Sequence, residues 1–314
     1  MRIAFFSTKP YDRIWFEPMG KDYGYDMHFI EAPFNEETVT LAKGHDAVCI
    51  FVNDSVTAGM IDQMCDMGIK ALLLRSAGFN HVDIHAAKGR IPVLRVPSYS
   101  PEAVAEYAMA MLLTVNRYTH KAYNRTRDFN MNINGFIGTD LNHKVAGVVG
   151  TGKIGQAMIR IFKGFNMQVL AYDPFVKEAP EGVTLVSDLD ELLRQSDFVS
   201  LHCSLVDGTR KIMNRDRLAA MKPTAILINC ARGPLVDEEA LIEALQNGKL
   251  GGAGLDVTDP EPVSPDSPLF QMDNVIVTPH YAPTTLEAAM RVSQIGAENI
   301  VAYLSGGEPV GRLV

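Results

Sequence analysis

The sequence predicts an α/β architecture of two doubly wound domains, each a parallel sheet covered by helices, with the second inserted into the first. Three observations carry that prediction. Short apolar runs recur at spacings that leave room for a helix between them. The rhythm breaks once, near residue 100, at a long apolar helical segment, and then restarts. A last helical segment, beginning near Thr284 or Thr285 and ending before Gly306-Gly307, is long enough to cross back to the first domain. At 314 residues the chain also exceeds what one ordinary core organises.

In the first third, strands are expected at 2–7, 25–31, 46–52, 70–75 and 92–96. The run Ile3 to Phe6 before Ser7 is too short for a signal-peptide core and reads as the first buried strand. Helical spacing fills the intervals, as with Ile61, Met64, Cys65 and Gly68. The long helix can be capped by Ser100 and opened by Pro101, with Glu102 and Glu106 near its positive end. Its body from Ala103 to Val115 is apolar on almost every face, which suggests burial between domains or subunits. Strands then follow at 145–149, 167–172, 197–201, 224–229, 250–255 and 274–278, with helices near 153–165, 188–194, 214–221 and 237–247. Residues 1–98 and 283–314 are therefore expected to form one domain and residues 99–282 the other.

Composition narrows the function. The formal net charge is −8, from 29 Lys and Arg against 37 Asp and Glu, with no basic block. That argues against nucleic acid or an anionic membrane as partner and leaves anion recognition to one or two local arginines. No stretch approaches the roughly 18 apolar residues of a membrane span. Cys49, Cys65, Cys203 and Cys230 lie scattered in apolar surroundings without metal-ligand spacing. Reduced thiols, a cytoplasmic location and no bound metal are the expectation.

Val145 to Gly155 reads as a strand, a glycine-rich turn and a helix. Gly150 permits the tight turn, Gly152 lets a pyrophosphate approach the backbone, and Gly155 lets helix pack on strand. The helix N–H groups at Lys153 and Ile154 then face the phosphates. Asp173 ends the next strand, eighteen residues beyond Gly155, where an acid bonds ribose hydroxyls and repels a 2′-phosphate. Pro174 and Phe175 follow it without an arginine. The expected cofactor is NAD rather than NADP, held by a Rossmann domain.

Three residues at strand ends suit hydride transfer to a 2-oxo acid, which needs a cation, a proton donor and a partner for that donor. Arg232 follows the strand Ala225–Asn229, Glu261 the strand Gly251–Val257, and His280 the strand Asn274–Thr278. A carboxylate beside an imidazole favours its charged form, so Glu261 is read as the partner of His280 and Arg232 as the grip on the substrate carboxylate and carbonyl. His202 holds an equivalent position, and spacing alone does not choose between the two histidines.

The order of these residues resembles the D-isomer-specific 2-hydroxyacid dehydrogenase family, most narrowly its D-lactate dehydrogenase branch. The marks are Arg75-Ser-Ala-Gly-Phe-Asn-His-Val-Asp83, Val96 to Tyr107, the glycine loop, Asn229-Cys-Ala-Arg-Gly233, Gly254-Leu-Asp-Val257 with Glu261-Pro262, and Pro279-His280. The resemblance implies that Arg232, Glu261 and His280 are the catalytic trio. It implies that backbone N–H groups of Ala77 and Gly78 hold the substrate carboxylate and that Tyr99 lines the substrate pocket. It places Asp256 at the nicotinamide carboxamide and Cys203, Ser204, Thr209, Cys230 and Ala231 along the cofactor. It implies a flavodoxin-like substrate domain and a homodimer formed through the NAD-binding domain and the long helix.

Ser204, Tyr281 and Pro283 depart from the usual pattern, the last two where the substrate side chain is recognised. The reading is NAD-dependent interconversion of pyruvate and D-lactate. The enzymatic rivals are reduction of bulkier acids, such as 2-oxoisocaproate or phenylpyruvate, and of hydroxypyruvate or glyoxylate. The rival of another class is a nucleotide-sensing regulator resembling a corepressor, against which the lack of long tails argues.

Overall fold

Alternation of side chains along short strands builds the first sheet, which has five. The computed structural model describes residues 1–304 and 306–314, and these fall into two units, Met1–Ser100 with Thr284–Val314, and Pro101–Pro283. The first unit begins β1 (Arg2–Phe5), α1 (Pro10–Tyr23), β2 (Asp26–Phe29), β3 (Ala47–Ile50), α2 (Ala58–Asp66), β4 (Ala71–Leu74), α3 (Ile84–Ala87) and β5 (Val93–Arg95). Its strands are parallel in the order β2-β1-β3-β4-β5, a flavodoxin-like arrangement. Ala4, Val48, Ile50, Leu72 and Leu74 point to the side covered by Met60, Ile61 and Met64 of α2. Ile3, Phe5, Ala47, Cys49, Ala71 and Leu73 point to the other, against Phe16 and Met19 of α1. The two-residue period thus makes two cores from one set of strands.

The second unit runs through α4 (Pro101–Arg117), α5 (Thr119–Arg127), β6 (Val145–Val149), α6 (Lys153–Gly164), β7 (Gln168–Tyr172), β8 (Thr184–Leu185), α7 (Leu189–Gln195), β9 (Phe198–Leu201), α8 (Arg215–Ala220), β10 (Ile226–Asn229), α9 (Glu238–Gln246), β11 (Gly252–Leu255) and β12 (Val275–Val277). The chain then re-enters the first unit as α10 (Leu286–Leu304), whose Ala297 and Ile300 join the core under α1.

The second sheet is parallel throughout, in the order β12-β11-β10-β9-β6-β7-β8. After building outward through β7 and β8 the chain returns to place β9 on the other side of β6. That reversal is the topological switch point at which a Rossmann sheet receives its ligand, beyond the strands' carboxyl ends. Val104, Ala108, Met111, Leu112 and Val115 of α4 pack with Met158 and Phe162 of α6 over Ala146, Val148, Ile226 and Ile228. Much of the apolar character of α4 is accounted for by this packing on the second sheet. Leu189, Leu192, Leu218, Leu241 and Leu245 cover the opposite face. Among the described residues no helix is long and apolar enough to cross a membrane.

Candidate active site

The glycine loop leaves β6 at the switch point. Gly150 has φ of +92°, and a Cβ there would lie 2.6 Å from the backbone nitrogen of Cys203, which leaves β9 alongside. A Cβ on Gly155 would overlap the Gly150 carbonyl oxygen. Both positions are closed to larger residues for opposite reasons, one conformational and one steric. Gly152 is the N-cap of α6 and gives the helix no side-chain cap, and a Cβ there would meet nothing within 4 Å among the described residues. The N–H groups of Lys153 and Ile154 therefore open onto space that a pyrophosphate can fill. These residues fit a dinucleotide.

Asp173, half-buried after β7, closes the loop. Its Oδ2 accepts from Thr151 N at 2.8 Å and Thr151 Oγ1 at 3.0 Å, and its Oδ1 accepts from Phe175 N at 3.1 Å. Burial acts to raise its pKa, but these hydrogen bonds together outweigh it and hold the carboxyl below its ordinary range. Oδ1 keeps an acceptor position for a ribose hydroxyl. Thr151, which the sequence reading passed over, fastens this acid to the phosphate turn. Ser204 and Thr209 meet in one turn, with Thr209 Oγ1 donating to the Ser204 carbonyl at 2.7 Å and accepting from Val206 N at 2.8 Å.

Three neighbouring strands, β10, β11 and β12, deliver the reactive candidates from their carboxyl ends. After β10, Asn229 braces the turn: its Oδ1 accepts from Ala231 N at 3.1 Å and its Nδ2 donates to the Arg232 carbonyl at 2.9 Å. Arg232 Nη1 donates to the Ala231 carbonyl at 2.5 Å. Cys230 points the other way, into the core, with Sγ 3.7 Å from Met111 Sδ. After β11 come Asp256 and the loop carrying Glu261. After β12 comes His280, whose Nδ1 lies 2.5 Å from Glu261 Oε1, with the two side chains 12% and 32% exposed. An ionised carboxylate only accepts, so this contact places a proton on Nδ1 and leaves Nε2 as the nitrogen that can exchange one with a ligand.

His280 has φ of +51°, in the left-handed region that non-glycine residues seldom occupy. Asp256 holds it there. Its Oδ1 accepts from Thr278 Oγ1 at 2.7 Å and Tyr281 N at 3.0 Å, and its Oδ2 from Ala282 N at 2.9 Å. The Asp256 carbonyl also accepts from His280 N at 2.9 Å. At 1% exposure, Asp256 is committed to the histidine loop, with one acceptor position on Oδ2 left for the carboxamide contact the resemblance implies. Asn229 figured in the sequence only as part of a family motif and Thr278 only as a strand end, neither with a role of its own. Their signal was their place at strand ends flanking Arg232 and His280. Tyr281 packs edge-on against Tyr107 of α4, ring centroids 4.8 Å apart.

The competing histidine sits in a different environment. His202 Nε2 is 2.8 Å from Ser200 Oγ, and burial pushes its pKa down to about 4, keeping the ring neutral. Burial likewise raises the thiols of Cys203, to about 11, and of Cys230. In the first unit, Ala77 and Gly78 follow β4, and Tyr99 follows the adjacent β5, its carbonyl accepting from Arg291 at 2.9 Å.

Residues 109–282 match the model of the D-isomer specific 2-hydroxyacid dehydrogenase NAD binding domain. The chain is 41% identical to the D-lactate dehydrogenase of Escherichia coli (strain K12), over 96% of each chain. The chain belongs to the D-isomer-specific 2-hydroxyacid dehydrogenase family. Within it, the D-lactate dehydrogenase branch is the match: the apo-structure of the Escherichia coli enzyme superposes with a TM-score of 0.93, all of both chains being covered. The pyruvate reductase of Chlamydomonas reinhardtii is 38% identical, with a TM-score of 0.88 over 99% of this chain and 98% of that one. The D-lactate dehydrogenase of Lactobacillus jensenii, solved with NAD+, is 32% identical, with a TM-score of 0.80 over the whole of both chains. This member of the family is thus an NAD-dependent 2-hydroxyacid dehydrogenase of the D-lactate dehydrogenase type.

Proposed function

We propose that this enzyme reduces pyruvate to D-lactate and catalyses the reverse oxidation, with His280 as proton donor and acceptor. The observation that carries the reading is the 2.5 Å contact between His280 Nδ1 and Glu261 Oε1 on a loop pinned by Asp256. NADH, when bound, supplies the hydride that reduces the carbonyl carbon. His280 Nε2 gives a proton to the carbonyl oxygen during reduction and removes it from the hydroxyl during oxidation. Glu261 stabilises the imidazolium and fixes the ring's orientation. Arg232 holds the carboxylate and polarises the carbonyl, while the N–H groups of Ala77 and Gly78 take the carboxylate as well and Tyr99 lines the methyl end. Gly150, Gly152, Lys153, Ile154 and Gly155 receive the pyrophosphate, and Asp173 the ribose. Cys203, Ser204, Thr209, Asp256 and the backbone at Cys230 and Ala231 line the rest of the cofactor.

Pyruvate as substrate is supported by the relatives, one named a pyruvate reductase and two named D-lactate dehydrogenases. A homodimer is supported by the segment after α5, where Phe129, Met131, Ile133 and Ile137 are 91%, 71%, 80% and 91% exposed. Apolar groups so displayed call for a covering surface, and a second copy of the same unit supplies one. Light scattering at micromolar concentration is expected to give twice the chain mass. NADH oxidation with pyruvate, 2-oxobutyrate, 2-oxoisocaproate, phenylpyruvate, hydroxypyruvate and glyoxylate, with the product resolved on a chiral column, tests the substrate. Highest kcat/KM for pyruvate with a D-product is expected. Preference for a bulkier acid would reassign it, and no turnover with any acid would turn the reading toward an NADH-sensing regulator.

A further inference from the structure

We propose that Arg95 is the positioning residue that aims the carboxylate-binding N–H groups of Ala77 and Gly78, a role that rests on the reading of those two groups given above. The Ser76 carbonyl accepts from Val96 N at 3.1 Å, and the Ala77 carbonyl accepts from Arg95 Nη1 at 2.7 Å. In a trans peptide the C=O and N–H point in opposite directions. The Ser76 carbonyl faces the end of β5 and the Ala77 carbonyl faces the Arg95 guanidinium, so the N–H groups of Ala77 and Gly78 each point away from these partners. Ser76 Oγ donates to the Gly78 carbonyl at 2.7 Å and closes the turn. Among the described residues neither N–H has a partner, although both residues are half-buried. Two adjacent unpaired backbone donors are a cradle for an anion.

Arg95 grips this turn from both flanks of Gly78. Its guanidinium bonds the Ala77 carbonyl and lies over the Phe79 ring, 5.2 Å from the centroid. No carboxylate pairs with it among the described residues, so a positive charge stands behind the cradle without a counter-charge. That charge polarises the Ala77–Gly78 peptide and strengthens the Gly78 N–H as a donor. The backbone of Arg95 is itself fixed: its N–H donates to the Gly311 carbonyl at 2.9 Å, and its carbonyl accepts from Asn299 Nδ2 at 2.9 Å. Asn299 is 2% exposed and accepts from Gly311 N at 3.2 Å. The returning C-terminal segment therefore anchors the residue that orients the cradle.

The test uses the NADH-loaded enzyme, selectively labelled with 15N at alanine and glycine, and oxamate as the carboxylate probe. In the unsubstituted protein the Ala77 and Gly78 amide resonances are expected to move downfield as oxamate saturates. In Arg95→Met those movements shrink, and KM for pyruvate rises about 10- to 100-fold while kcat stays within about threefold. NADH affinity is expected to be unchanged, a split that general loss of structure would not give. Arg95→Lys, a point charge with a different reach, is expected to fall between and serves as the deciding variant should Arg95→Met fail to fold. Responsive amides together with a KM within about twofold of the original, in Arg95→Met or in a folded Arg95→Lys alone, would overturn the role of Arg95 and leave the cradle standing. Amides that ignore oxamate in the unsubstituted protein would overturn the cradle, and this proposal with it.

Discussion

Replacing Asp256 by Asn isolates the device that holds His280. The carboxylate accepts from Thr278 Oγ1, Tyr281 N and Ala282 N, at 2.7, 3.0 and 2.9 Å, while 1% exposed. An asparagine has one acceptor oxygen, which can keep the Thr278 and Tyr281 bonds. Its amide then presents N–H to the Ala282 N–H, so one bond is lost and a buried donor is left unpaired, costing about 1–3 kcal/mol. The two surviving bonds lose their charge assistance, roughly 1 kcal/mol each. A destabilisation of about 3–5 kcal/mol follows, which for a unit of this size lowers the thermal midpoint by roughly 6–20 °C. Because His280 is held at φ +51° by the same bonds, turnover of the protein still folded at 25 °C should also fall, by about tenfold or more. Differential scanning calorimetry and steady-state NADH oxidation read the two effects separately. A variant that melts and turns over like the original would refute the claim that Asp256 holds the histidine loop.

Other outcomes follow from the same geometry. Glu261→Gln removes the charged partner of His280 Nδ1 and is expected to lower kcat/KM for pyruvate by about 10- to 100-fold with little change in NADH affinity, read by stopped-flow. Gly155→Ala forces a Cβ onto the Gly150 carbonyl oxygen, so NADH binding followed by fluorescence should weaken at least about tenfold while circular dichroism still reports a folded chain. His202 sets a pH dependence of stability: its folded value is lowered to about 4, so the unfolded chain takes up a proton that the folded chain refuses between about pH 6.5 and 4. Stability contributed by the neutral ring is complete above that window and is lost as pH falls through it, by no more than ~3 kcal/mol. The drop in urea midpoint from pH 7 to pH 5 should therefore be smaller in His202→Gln. Cys203, held near 11, should be alkylated by iodoacetamide at pH 7.5 roughly a hundredfold more slowly than a free thiol, as peptide mass spectrometry would show.

Much of the fold was legible because its strands are short, apolar and separated by patterned helices. All five predicted strands of the first unit and six of the second are present within a few residues of their expected ends. The elements that left a weak trace have physical reasons for it. β8 is a two-residue edge strand, too short for a period. α5 buries no residue and so carries no apolar stripe, and α1 contains Pro18 in its interior. At the site, glycine spacing announced the phosphate turn because backbone geometry there excludes side chains. The choice between His202 and His280 was not legible from spacing and rested on the resemblance, since both follow strands and only folding puts Glu261 against one of them and Ser200 against the other. The bracing by Asn229, Thr151 and Arg95 was equally hidden, because each acts through a backbone group whose direction is fixed by neighbouring strands.

The most direct test of the proton-transfer role is the rate of NADH oxidation by saturating pyruvate in His280→Gln, measured beside its NADH dissociation constant. The rate is expected to fall by about 10²–10⁴-fold with the dissociation constant unchanged. A rate within about threefold of the original, or a loss that tracks failure to bind NADH, would contradict the assignment of His280 as the group that moves the proton.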